Sequence, residues 1–139
     1  CDGAAPSNLD IFDEMKVLRY AMLAYWGLPS FNPVVMTCPT LLKMASQGGA
    51  NAIGHGDILG SVKEGKKADL ILLNIDQPHI TPTQNLVNTI VDAANGHDVM
   101  DSIINGKLVM KNREVLTLDE ERIRFEATQH MNEIIKRAY

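Results

Sequence analysis

The stretch Gly60-Ser-Val-Lys-Glu-Gly-Lys-Lys-Ala-Asp-Leu-Ile-Leu-Leu-Asn-Ile-Asp76 and the later segment Ile104-Asn-Gly-Lys-Leu-Val-Met110 constrain the fold more than any other feature of the chain. Lys67 to Ile75 is a mostly continuous apolar run bounded by turn residues, the pattern of a strand covered on both faces, with Leu70 to Leu73 buried. The Asn105-Gly106 pair between Val99–Ile104 and Lys107–Met110 suits a type I′ turn, in which both central residues take positive φ, so these two segments predict a hairpin. Leu86 to Ala94 is a further strand candidate, although Leu86, Ile90 and Ala93 also fit a short helix, and Glu114 to Leu116 adds a last short strand.

The remaining sequence has helical periodicity. From Leu9 to about Trp26 the residues Leu9, Phe12, Met15, Leu18, Met22 and Tyr25 recur at three- and four-residue steps. Ser7 or Asn8 is placed to cap this helix, Asp10, Asp13 and Glu14 oppose its dipole favourably, and Gly27 and Pro29 are expected to end it. Leu28 to Pro39 holds three prolines and reads as a connector. Thr40 to Ser46 predicts a second helix broken at Gly48-Gly49, with one more turn over Ala50 to Ile53. Thr117-Leu-Asp-Glu120 has the form of a capping box, opening a helix to about Ala138 with Ile123, Ala127, Met131, Ile134 and Ile135 on its apolar side.

With 139 residues, 45% of them hydrophobic and 22% charged, the chain has globular composition and enough length for one ordinary core. It falls short of the roughly 250 residues of a complete eight-stranded β/α barrel. A formal charge of −4 with interleaved signs leaves no basic stripe for nucleic acid and no polybasic patch for a membrane, so a small soluble ligand is the expected partner. Cys1 and Cys38 lack zinc-ribbon spacing and disulfide-scaffold density, and are read as reduced thiols in a cytoplasmic protein. No apolar run approaches the roughly 20 residues needed to span a bilayer.

Several segments together resemble the C-terminal part of the amidohydrolase superfamily of metal-dependent hydrolases. They are Cys1-Asp-Gly-Ala-Ala5, Leu9-Asp-Ile-Phe-Asp-Glu-Met15, Leu42 to Ile53, the Gly60 to Asp76 stretch, Pro78-His79, Val91-Asp-Ala-Ala-Asn-Gly-His-Asp-Val99 and Ile104-Asn-Gly-Lys107. They run in family order across nearly the whole chain. The resemblance implies an α/β architecture in which the chain is the tail of a longer enzyme, a (β/α)8 barrel with an auxiliary β-sandwich and a C-terminal helix. Residues 1–56 would supply the last strand end and helices of the barrel, 57–117 the C-terminal part of the composite sandwich, and 118–139 the helix. The members most similar in these motifs act on nitrogen heterocycles, which implies hydrolytic deamination of an adenosine-type nucleoside. Triazine or guanine hydrolysis, and a non-catalytic stand-alone β-rich module, are the alternatives. A homo-oligomer is compatible with either enzyme reading.

The same resemblance implies that Asp2 binds the divalent metal, zinc, and exchanges a proton with the water that the metal activates. The ion would lower the pKa of that water from about 15.7 towards 7. In these 139 residues alone, one carboxylate is not a site, because catalytic centres of this kind need three or more protein ligands. None of the four histidines supplies the rest by spacing. His79 is expected to be a loop histidine bonded to backbone, His55 and His97 turn residues, and His130 a residue on the flank of the last helix. Ser7 and Asn8 are read as capping residues, Lys66-Lys67 as a charged turn. Cys1 also raises an N-terminal-nucleophile hydrolase, with the α-amine as base, but that fold needs more strands than this chain offers.

Overall fold

The computed structural model describes residues 9–32 and 34–138. The first helical run comprises α1 (Ile11–Met22), a π-helical turn (Leu23–Gly27) and α2 (Leu28–Ser30). Asp10 is its N-cap, the carboxylate accepting the Phe12 N–H at 2.9 Å, in place of the expected Ser7 or Asn8, which lie outside the described residues. Gly27 and Pro29 do not end the run. A proline inside a helix lacks an N–H and crowds the carbonyl four residues back. The π turn, with Leu28 N–H bonded to Leu23 C=O, changes the register just before Pro29, and the helix continues to a left-handed Phe31 at φ 52°.

The second run starts earlier and lasts longer than its glycines imply: α3 (Cys38–Lys43), a π turn (Met44–Gly48) and α4 (Gly49–Ala52). Thr37 caps it through its hydroxyl, and Pro39 sits in the first turn, where a missing N–H costs nothing. Leu86 to Ala94, the ambiguous segment, is helical: α5 (Leu86–Asp92) is capped by the Asn85 carboxamide on Asn88 N–H at 3.1 Å.

Four strands form one antiparallel meander in sequence order: β1 (Leu70–Leu73), β2 (Val99–Ile104), β3 (Lys107–Lys111) and β4 (Glu114–Val115). The β2–β3 connection is the expected type I′ turn, with φ 50° at Asn105 and 77° at Gly106. The register shifts between Leu72 and Leu73 on β1 and between Ser102 and Ile103 on β2. The last helix, α6 (Glu120–Ala138), is present as predicted, but its cap is Asp119, whose carboxylate accepts the Arg122 N–H at 2.9 Å. Asp119 stands directly before the first helical residue, so it reaches the free N–H groups that Thr117 cannot.

The core lies between the helices. Phe12 and Met15 of α1, Cys38 and Leu41 of α3, Ile80 of the loop between β1 and α5, and Val91 and Ala94 at α5 pack together, with Leu73 and Val99 at the edge. Burying such side chains contributes about 1.5–3 kcal/mol each. The expectation that β1 is covered on both faces is not met: Ile71 is 53% and Leu72 48% exposed. Only the end of the strand reaches the helical layer, through Leu73, and among the described residues no second sheet lies over the meander.

Candidate functional site

Asp2, the residue singled out as metal ligand and proton acceptor, lies outside the described residues, as do Cys1, Ser7 and Asn8. Among the described residues no three His, Cys, Asp or Glu side chains converge as a metal site would require. The four histidines are dispersed. His55 sits in a turn between Gly54 and Gly56, its N–H on the Ala50 carbonyl at 2.8 Å, and His97 is in the 3-10 turn Gly96–Asp98. His130 is exposed on α6.

His79 differs from its expected role. Its Nε2 lies 3.0 Å from Oδ2 of Asp98, a carboxylate only 4% exposed, so its partner is a side chain and not backbone. The same oxygen accepts the Asn95 N–H at 2.9 Å, while the Asn95 side chain caps the turn in return. Burial by itself pushes the Asp98 pKa up, but the hydrogen bonds from His79 and Asn95 and the charges of His79 and His97 outweigh it, holding it below its ordinary 3.8. The Asn-x-x-Asp pattern at 95–98 is a capping-box signal legible in the sequence. The pairing with His79 has no such signal.

A cleft of about 560 Å³ opens beside this turn, between the start of α1 and the sheet, with Asp10, Gly96, His97, Ile71, Ser102 and Arg113 on its walls. Asp10 uses both carboxylate oxygens: Oδ1 caps α1, and Oδ2 accepts the Gly96 N–H at 2.7 Å. A Cβ on Gly96 would stand 3.1 Å from that oxygen, so glycine is what permits the approach. Arg113 donates to the carbonyls of Gly96, His97 and Val99. The Asp10 bonds fix the first turn of α1 against the 95–98 turn, and those of Arg113 tie that turn to the connection between β3 and β4.

Two further polar nodes hold the helical layer. Arg19 donates from Nε to Asp92 Oδ1 at 2.9 Å and from Nη1 to the Met36 carbonyl at 2.8 Å, and the Cys38 thiol points at Asp92 Oδ2 from 3.6 Å. Burial and the Asp92 charge raise the Cys38 pKa against the opposing effect of Arg19, which keeps the sulfur protonated and unsuited to nucleophilic work. Lys66, at the charged turn, is half-buried, and its ammonium donates to Gln47 Oε1 and to the carbonyls of Gly56 and Leu59 at 2.7–3.0 Å. Gly60, at φ 85°, packs so closely on Gln47 and Ala50 that a Cβ would come within 2.7 Å of the Gln47 backbone.

Comparison with known proteins accounts for this pattern. Residues 1–109 match the amidohydrolase family. The chain is 40% identical over 137 residues to a 5-methylthioadenosine/S-adenosylhomocysteine deaminase of Acetivibrio thermocellus, covering 98% of this chain and 30% of that protein. It is 37% identical over 138 residues to a 5′-deoxyadenosine deaminase of Methanosarcina acetivorans, covering 99% and 31%. The fold superimposes on a zinc-bound adenosine deaminase of Xanthomonas campestris with a TM-score of 0.83 and 28% identity, covering 91% of this chain and 28% of that one. An atrazine chlorohydrolase of Arthrobacter aurescens complexed with zinc gives 0.70 and 25% identity over 83% and 25%. The chain therefore spans about 30% of the length of the curated relatives it matches. With the family matched over most of its length and the motif segments meeting in space, the chain belongs to the amidohydrolase family.

Proposed function

We propose that this chain is the C-terminal part of a metal-dependent hydrolase that removes ammonia from an adenosine-type nucleoside. The observation that carries the proposal is the alignment of nearly every residue with relatives named as deaminases of adenosine derivatives. The higher TM-score to an adenosine deaminase than to a triazine chlorohydrolase, 0.83 against 0.70, favours the nucleoside over the triazine. In this reading residues 1–56 complete the barrel, 57–117 form part of a composite sandwich and 118–139 a C-terminal helix.

The described residues do not fit a metal centre. A divalent ion, zinc as in the related structures, would supply a water acidic enough to attack near neutral pH. The contribution of this chain is the Asp2 carboxylate, which would help to hold the ion and accept and return a proton. The Asp10–Gly96 bond supports that role indirectly, by anchoring the helix that follows the Asp2 segment. The 139 residues alone are expected to be catalytically inert.

The test is Asp2→Asn in the full-length enzyme, assayed for ammonia release from adenosine, 5′-deoxyadenosine and methylthioadenosine, with atrazine dechlorination alongside. The amide keeps the shape of the carboxylate but accepts no proton, so turnover should fall by about 10²–10⁴ with the melting temperature unchanged. Near-normal turnover removes Asp2 from the mechanism. Chloride release exceeding ammonia release would replace the nucleoside with the triazine.

A further inference from the structure

The helical layer and the strand meander share little apolar contact: among the strand residues only Leu73 and Val99 pack against the helical core. Hydrogen bonds from four separate segments converge instead on the turn 95–98 and the residue after it. The Gly96 N–H donates to Asp10 Oδ2, at the start of α1, from 2.7 Å. The Asp98 carboxylate pairs with His79 Nε2 at 3.0 Å, and His79 adjoins Ile80, a core residue only 3% exposed. The Asp98 carbonyl accepts the N–H of Asn74, just past β1, at 2.8 Å. From the far side, Arg113 in the β3–β4 turn donates from Nη1 to the carbonyls of Gly96, His97 and Val99, and its own N–H bonds the Met100 carbonyl at 2.8 Å.

The backbone that presents Arg113 is strained. Asn112 has φ 47° and Arg113 φ 68°, the only two consecutive non-glycine residues in the left-handed region among the described residues. Asparagine enters that region readily, whereas arginine does not. Residues held in such conformations persist where their surroundings over-determine them. Here the Asn112 N–H is bonded to Asp101 Oδ1 at 2.8 Å, and the Arg113 guanidinium is bonded to three carbonyls of the neighbouring turn. A glycine at 113 would form the same turn without strain, and would hold none of those carbonyls.

We infer that the 95–98 turn is a coupling joint, locked by Asp10 on one side and Arg113 on the other, that makes the helical layer and the meander open as one cooperative unit. Regions of a protein ordinarily open separately, each with its own free energy, and two layers that share so little apolar contact would be expected to do so. The joint prevents this. To leave the helices, the meander must give up the Arg113 bonds or carry the turn away from Asp10 and His79, and either route leaves hydrogen-bonding groups without their partners. The joint uses only contacts within this chain, and it is independent of the reaction proposed above.

The test is amide hydrogen exchange of the full-length protein, read by mass spectrometry on peptides covering α1, α5, β2 and β3. In the wild-type protein the slowest amides of the two layers should exchange with the same protection and the same urea dependence. Arg113→Gly keeps the left-handed turn and removes its strain, so a guanidinium without a coupling role predicts equal or slower exchange throughout. The joint predicts the opposite sign, with β2 and β3 exchanging at least about tenfold faster while α1 and α5 hold. Asp10→Asn keeps the cap on Phe12, since a carboxamide oxygen serves as well there, but turns an amide N–H towards the Gly96 N–H, and should separate the layers by a similar factor. Wild-type layers that exchange at different rates overturn the inference, and so does an Arg113→Gly protein whose meander keeps pace with its helices. An Asp10→Asn protein whose layers stay together overturns it as well.

Discussion

The helical layer and the strand meander of this chain obey different rules. Between α1, α3 and α5 the apolar residues close on one another, Leu41 being 1% exposed and Val91 and Ala94 fully buried, and the Arg19–Asp92 pair crosses between helices. In the meander, Ile71 and Leu72 are each about half exposed, and every described side chain of α6 through Arg137 is exposed. The first region closes a core within the chain, although Ile11, Val17, Tyr25, Trp26 and Leu28 on its outer faces are exposed. The second has apolar residues at Leu70 to Leu73 without the cover of a second layer among the described residues.

A matched pair of substitutions breaks or sharpens that contrast. Leu41→Asp would bury an unpaired charge in the helical core, and should cost more than about 4 kcal/mol, enough to unfold a typical domain. Leu72→Asp in the 139-residue chain should cost under about 1 kcal/mol, because the carboxylate reaches water. Urea unfolding followed by circular dichroism compares them. Equal losses would show that the outer face of β1 is covered within this chain. In the full-length enzyme, the cost of Leu72→Asp should rise to several kcal/mol if the remaining polypeptide supplies the cover.

The second prediction concerns the polar seam between the regions. Because the Asp98 pKa is held below 3.8, its stabilising contribution is complete above that value and is lost as pH falls below it through the folded-state pKa. Asp98→Ala should cost about 1–3 kcal/mol at neutral pH by stripping His79 and the Asn95 N–H of their acceptor. It should also flatten the decline of melting temperature below pH 4. An unaltered acid profile would mean that the His79–Asp98 pair does not form in solution.

The third prediction concerns the hairpin. Gly106 has φ 77° and open space within 4 Å of where a Cβ would stand, so Gly106→Val meets only the backbone penalty, roughly 1–2 kcal/mol. Gly106→Asn should recover most of it, since Asn tolerates the left-handed region. Melting temperatures of the two variants decide this, and an equal loss in both would mean that something packs over the turn.

Much of this fold could be read in advance where local chemistry governs. The period of Phe12, Met15 and Leu18 marked α1, and Asn105-Gly106 marked its turn. What local pattern missed was how distant segments use one another. Gly27 and Pro29 looked like a stop, yet a π turn carries the helix through them, and Gly48-Gly49 was passed in the same way. Lys66 read only as part of a charged turn, and the loop folds its ammonium onto three oxygens. The candidate site was legible only as a resemblance: Asp2 stood out through its neighbours in sequence, and it falls outside the described residues.

By itself, then, the sequence determined the periodic elements, the turn that needs positive φ and the family, because these depend on neighbours a few residues apart or on the order of motifs. Only the tertiary structure decided what the motifs are for within this chain. Asp10 of one motif binds Gly96 of another, His79 of a third binds Asp98, and Gly60 rests on Gln47 and Ala50 of a fourth. Such pairings join residues far apart along the chain, and their energy exists only after the backbone has closed the distance. No periodicity or propensity records them, which is why residues read singly as turn, loop or helix-start positions prove to be the joints of a scaffold.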